Sequence, residues 1–150
     1  MIIREATLED IIAMLDMASA MQEESPKFSH NSFDAVKASG VFTSLVVNDN
    51  GIAFIAEEDG DPIGMIGGMV IEQFFSHDLY ACDFGVYLKP EHRGGSAVIK
   101  MIKAFEQRAI ELGAKEISLG ISTELDAERT ASLYERLGYV RSGISTIKRT

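Results

Sequence analysis

Between Tyr80 and Leu112 the chain must pass from strand to helix within a few residues, through a glycine turn flanked by basic side chains. The run Tyr80 to Leu88 is apolar and strand-like. It contains Gly85, and a glycine inside a strand marks a bulge or the close approach of another group. Pro90 ends the ladder because it has no N–H to donate. Past Gly94 and Gly95, the residues Val98, Met101, Ile102, Phe105, Ala109 and Leu112 recur at helical spacing, with Gly113 just beyond the end. Such a turn leaves backbone N–H groups unpaired at a helix start, where the helix dipole favours an anion. Arg93 adds a charged fork and Ser96 a hydroxyl. The chemistry reads as a phosphate cradle, yet neither G-x-x-x-x-G-K-[ST] nor G-x-G-x-x-G occurs there. An ordinary tight turn could have the same sequence, so the stretch alone does not decide.

Charge narrows the ligand. Twenty-three acidic residues against fourteen basic ones give a net charge of -9, which argues against nucleic acid and anionic membranes as partners. Lys89 to Arg108 reverses that balance, with five basic residues and two acidic ones. A basic island around a glycine turn points to a small anionic ligand, and a solvated helix face is the plain alternative. The longest apolar run, Ile63 to Ile71, contains three glycines and falls well short of the ~18 residues that span a bilayer. Arg4, Glu5, Glu9 and Asp10 are unlike a signal peptide. The lone Cys82 excludes an internal disulfide framework and fits a reducing, cytoplasmic setting, where it reads as a buried thiol. His77 and His92 have no metal-ligand spacing with Cys82, so no metal is expected.

The 150 residues read as one domain, residues 1–150. A short strand at the N-terminus leads to Thr7, which can cap a helix reaching about Met21. "EESPKFSHNS" is a loop, and Phe33 to Val47 is ambiguous between helix and strand. Ile52 to Glu57 and Ile63 to Phe74 form a hairpin about "EEDGDP". A turn near Ser76 to Asp78 leads to the strand Tyr80 to Leu88 and the helix Gly95 to Leu112. Then follow a strand from Glu116 to Ile121, a helix capped by Asp126 and stopped at Gly138, and a last strand from Tyr139 to Ile147. The order β-α-α-β-β-β-α-β-α-β predicts an α+β fold, a mixed and mainly antiparallel sheet with helices on both faces.

Four stretches together resemble the GNAT superfamily of N-acetyltransferases over essentially the whole chain. "IIREATLEDI" is similar to the family's first strand and helix, and "EEDGDPIGMIGG" to its central hairpin. "VYLKPEHRGGSAVIKMIKAFEQRAIELGAKEI" resembles its acetyl-CoA motif, and "RTASLYERLGYV" its tyrosine-bearing helix and last strand. The Arg-Gly-Gly variant of the turn resembles GNAT-like proteins of phages and prophages. The resemblance implies that acetyl-CoA is the cosubstrate. Backbone N–H groups of Arg93, Gly94, Gly95, Ser96, Ala97 and Val98 would hold its pyrophosphate. Its pantetheine arm would pair at Leu88 as an added strand. The N–H of Val86 would polarise the thioester carbonyl. Tyr134 would act as general acid toward the CoA thiolate. Asp83 and Glu72 are the candidate bases. Ser96 and Val98 stand where the family has small residues, and Ala127 where it often has an asparagine that contacts the arm.

The expected function is transfer of acetyl from acetyl-CoA to a primary amine, on a small molecule or a protein, by direct attack in a ternary complex. A GNAT-like module that holds CoA or another ligand without turnover, within an assembly, is the competing reading. The family's acceptor side corresponds to "QEESPKFSHNS" and "FFSHDL". Glu23, Glu24 and Asp78 would there attract a cationic amine, beside an apolar wall of Phe74 and Phe75. A homodimer is what the family resemblance implies.

Overall fold

The computed structural model describes residues 1–121 and 125–150. β1 (Ile2–Glu5) is followed by a single 3-10 turn, Leu8–Asp10, and by α1 (Ile11–Glu24). Asp10 closes that start. Its carboxylate accepts from the Thr7 backbone N–H at 2.8 Å and from two nitrogens of Arg4, each at 2.8 Å. Arg4 also reaches Glu57 at 2.7 Å, so one guanidinium ties β1, the helix start and the second strand together. The buried Asp10 carboxyl is held down at about 2, first by Arg4.

The ambiguous segment is helical: α2 spans Ala35–Val47. The Asp34 side chain accepts from Lys37 N–H at 3.0 Å, and Leu45 is buried against the sheet. A local cap and tertiary burial thus override the weak propensity of Gly40 and the β-branched residues around it.

β2 (Gly51–Glu58) and β3 (Asp61–Glu72) form the expected hairpin. Asp59 (φ 51°) and Gly60 (φ 82°) both take positive φ, as a two-residue hairpin turn requires. β4 (Leu79–Leu88) returns beside β3. Pro90–His92 makes another 3-10 turn before α3 (Ala97–Glu111), β5 (Glu116–Ser118) and α4 (Ala127–Arg136). The strands lie in the order β1-β2-β3-β4-β5, all antiparallel except the β4–β5 pair. The fold is the expected α+β arrangement, with helices on both faces. Met14, Met17 and Leu45 from α1 and α2 pack on one face with Ala53, Ile55, Met65 and Tyr87. Met101, Ile102, Phe105 and Ala109 of α3 pack on the other with Ile52, Ile66 and Ala81, and Tyr134 of α4 joins them. Each such fully buried large side chain contributes about 1.5–3 kcal/mol.

The expected closing strand does not form, because residues 139–150 have no strand pairing. Tyr139 N–H turns back to the Tyr134 carbonyl at 3.1 Å. Arg141 is drawn to Glu128 and Glu135, each at 3.0 Å, and Gly143 has φ 76°. The segment is thereby tied to α4, and β5 remains an edge. Asp126 stands at the N-cap of α4 with φ 46°, but its side chain makes no capping hydrogen bond.

Two irregularities shape the middle of the sheet. Gly67 pairs with Gly85 while Gly68 pairs with Asp83, so Phe84 is an extra residue in β4, a bulge one position from Gly85. β4 and β5 pair only from Tyr80↔Glu116 to Cys82↔Ser118, and past that point they separate.

Candidate active site

Where β4 and β5 part, a cleft of about 430 Å³ opens. Met21, Glu24 and Phe28 border it from the α1 side of the sheet; Val98, Ile99, Leu133 and Tyr134 border it from the α3 and α4 side. The cleft therefore passes between the strands from one face of the sheet to the other.

Its β4 wall is backbone. Lys89 donates its N–H to the Ile63 carbonyl at 2.9 Å, which sets the alternation along the strand end. Groups of an antiparallel strand face its two edges in turn. Gly85 and Tyr87 therefore face β3 as well, while Val86 and Leu88 direct theirs into the cleft. Among the described residues no strand pairs with them, since β5 ends its pairing at Ser118. The Val86 and Leu88 N–H groups are thus aimed at whatever occupies the cleft. The Leu88 carbonyl is not free: it accepts from Arg93 Nε at 2.8 Å.

Arg93 accordingly differs from its expected role. Its guanidinium reaches Glu24 at 2.6 Å and lies over the Tyr87 ring, 5.5 Å from the centroid. Its backbone N–H donates to the Pro90 carbonyl at 3.2 Å. The run of backbone N–H groups without a partner consequently begins at Gly94. From Gly94 to Val98 the backbone N–H groups have no partner among the described residues. Gly94 holds φ 95°, a conformation that side-chain-bearing residues rarely adopt. Ser96 caps α3 by position and leaves its hydroxyl uncommitted, while Ala97 is turned into the core. Gly94, Gly95 and Val98 border the cleft directly.

Asp83 and Tyr134 are brought together across the cleft. Asp83 Oδ1 accepts from Gly120 N–H at 2.8 Å, spanning the gap between the diverging strands. Burial raises its carboxyl to about 6, against the opposing effect of the Gly120 hydrogen bond. Tyr134 is buried, and its hydroxyl has no hydrogen-bond partner among the described residues. Burial first, and then the Asp83 charge, push its pKa well above the usual phenol range, so it remains a proton donor. Tyr139 packs against it, ring centroids 5.9 Å apart, with its own hydroxyl on Glu106 at 2.8 Å. Cys82 is half-buried, its thiol pKa raised by burial and by Asp83, as befits an inert thiol.

Other expected site residues lie elsewhere. Glu72 ends β3 beside His77 at 3.2 Å and does not border the cleft. Phe74 and Phe75 form an exposed T-shaped pair, centroids 4.7 Å apart, on the β3–β4 turn. That turn lies at the opposite end of β4 from Val86, roughly 20 Å away at strand rise. Asp78 there pairs with Lys115 at 2.6 Å. Of the proposed acceptor carboxylates only Glu24 borders the cleft.

The sequence reading did not single out Met21, Phe28, Phe84, Gly120, Arg129 or Arg136, all of which border the cleft. Arg129 and Arg136 had a usable signal, being seven apart on an amphipathic helix. Gly120 had none. Among the described residues no three His, Cys, Asp or Glu side chains converge as a metal site, and no helix is long and apolar enough to cross a membrane.

Comparison with known proteins follows the same lines. The sequence pattern described as "Acetyltransferase (GNAT) family" matches residues 15–139. No curated protein matches the chain. Among solved structures, an aminoglycoside N-acetyltransferase in complex with CoA superposes with a TM-score of 0.79 at 14% identity, covering 99% of this chain and 93% of that one. Glucosamine-6-phosphate N-acetyltransferase from Arabidopsis thaliana gives 0.76 at 15% identity, covering 99% and 97%. A ribosomal-protein-alanine N-acetyltransferase from Brucella melitensis biovar Abortus 2308 gives 0.75 at 16%, covering 99% and 98%. At these identities the likeness is one of fold. The likeness of the turn to phage-borne forms finds no support in these comparisons.

Proposed function

The chain belongs to the acetyltransferase (GNAT) family, and on that premise we propose that residues 1–150 act as one catalytic domain, cytoplasmic in setting, that acetylates a primary amine. Acetyl-CoA would enter the cleft with its pyrophosphate on the N–H groups of Gly94 to Val98. Its arm would lie along β4, hydrogen-bonded by Leu88 N–H. The observation that carries the reading is the cleft wall itself: two unpaired N–H groups, on Val86 and Leu88, where a neighbouring strand has drawn away.

In the reaction so proposed, Asp83 takes a proton from the bound ammonium, directly or through water. The freed amine lone pair attacks the thioester carbon, forming the C–N bond. The carbonyl oxygen becomes an oxyanion stabilised by the Val86 N–H. The C–S bond then breaks, and the departing thiolate takes the Tyr134 proton. The second proton leaving nitrogen restores the phenol through solvent, and Asp83 releases the first to bulk water. Met21, Phe28 and Phe84 would give the acceptor an apolar wall, with Glu24 at its edge.

One observation favours the alternative of a non-catalytic module that holds a ligand other than CoA. Arg93 already occupies the Leu88 carbonyl, which an added strand would need.

A thermal melt with acetyl-CoA tests binding, and a free-thiol assay over a panel of amines tests turnover. At about 100 times Kd the ligand should stabilise the fold by roughly 2.7 kcal/mol, while ATP and NAD should do little. A shift without thiol release on any amine would establish a module that holds CoA without turnover; no shift at millimolar acetyl-CoA would defeat the acetyltransferase reading and leave a module for some other ligand.

A further inference from the structure

Among the described residues three guanidinium groups border the cleft, and they are not equivalent. Arg93 is engaged by the Leu88 carbonyl, Glu24 and the Tyr87 ring. Arg129 and Arg136 are exposed and have no hydrogen bond or ion pair among the described residues. They stand seven residues apart on α4, two turns on one side of the helix, about 10 Å along its axis. Arg141 holds Glu128 and Glu135 of that helix, each at 3.0 Å, and Asp126 at its N-cap, which also borders the cleft, makes no ion pair with them among the described residues. Among the described residues no lysine borders the cleft. An anion in it therefore meets backbone N–H groups at Gly94 to Val98 and two uncommitted arginines on α4.

We propose that Arg129 and Arg136 form a site for a terminal phosphate monoester, an inference that rests on CoA occupying the cleft. The backbone turn suits the singly charged groups of a pyrophosphate bridge. A monoester carries close to two charges at neutral pH and is best met by cations. Guanidinium forks bind its oxygens in pairs, which a backbone turn does not. Two sources carry this group: CoA itself, as its 3′-phosphate, and a phosphorylated amine acceptor.

The experiment is calorimetric titration of wild type and the double variant R129Q/R136Q with CoA and 3′-dephospho-CoA. If the site takes the 3′-phosphate, wild type binds CoA about tenfold more tightly than 3′-dephospho-CoA. The double variant then loses that preference while binding 3′-dephospho-CoA as wild type does. If the site takes the acceptor's phosphate, the two CoA forms bind alike to wild type, and inorganic phosphate binds the CoA-loaded wild type but not the CoA-loaded double variant. Equal binding of all three probes to both proteins would overturn the site and leave the acetyl-CoA reading standing. Failure of wild type to bind 3′-dephospho-CoA and CoA alike would overturn that reading and the site with it.

Discussion

The Asp83 carboxylate and the Gly120 N–H are joined by a 2.8 Å hydrogen bond just past the end of the parallel β4–β5 pairing. One carboxylate thus fastens the mouth of the cleft and lines it.

Its raised pKa sets two pH responses. The carboxyl titrates near 6 in the fold against 3.8 in its absence, so the folded state binds the extra proton between those values. Ionisation therefore costs stability as pH rises from about 4 to 6, and above 6 the cost is complete. Asp83→Asn keeps an acceptor for Gly120 and removes the charge. It should raise Tm at pH 7.5 and lose that advantage by pH 4, as scanning calorimetry would register. In kcat/KM, wild type should show an ascending limb with an apparent pKa near 6, missing from the variant.

Tyr134→Phe separates chemistry from packing. The hydroxyl has no hydrogen-bond partner among the described residues, so its loss should leave Tm within about 2 °C. Turnover measured by thiol release should fall by about 100-fold with KM for acetyl-CoA little changed. A drop in Tm with unchanged turnover would make the tyrosine a packing residue.

Gly94 and Gly95 make a matched pair of substitutions. A Cβ at either position meets nothing within 4 Å, but only Gly94 has positive φ, at 95°. Gly94→Ala should cost about 1–2 kcal/mol through backbone strain alone. Gly95→Ala should melt as wild type does. Acetyl-CoA affinity should weaken in the first, because the N–H groups that follow are displaced.

Far from the cleft, Asp10 governs acid stability. Its carboxyl is depressed from 3.8 to about 2, so its contribution is complete above about pH 4 and is lost as pH falls toward 2. Asp10→Asn should remove about 2 kcal/mol at pH 7, and the difference from wild type should close in acid melts.

Most of the architecture was readable because it is local. The α3 stripe and the turn at Asp59-Gly60 state their periods within a few residues. The α2 segment was ambiguous because Leu45 becomes helical by burial against strands that follow it. Val140, Ile144 and Ile147 have the look of a strand, yet the tail is held by Arg141, whose partners lie on α4. The same distance explains Arg93. Its partner Glu24 is 69 residues away, so a fork that reads as phosphate-binding is turned onto helix α1. Asp83 could be nominated as a carboxylate in an apolar strand, but its poise near neutrality depends on burial that only the fold supplies.

Phe84 behaves as an extra half-row does in a crystal. Between Gly85 and Asp83 the fourth strand takes two steps where its neighbour takes one. Every residue on one side of that dislocation is offset in phase from those on the other. Residues up to Cys82 belong to a sheet that continues into β5, while residues from Gly85 belong to one that ends at β4. Deleting Phe84 would close the dislocation and give the strand one phase, with Val86 still opposite Ile66 and its N–H still at the open edge. Which N–H groups on either side of the bulge face the strand's outer edge is thereby a matter of residue parity, which no side-chain substitution can imitate.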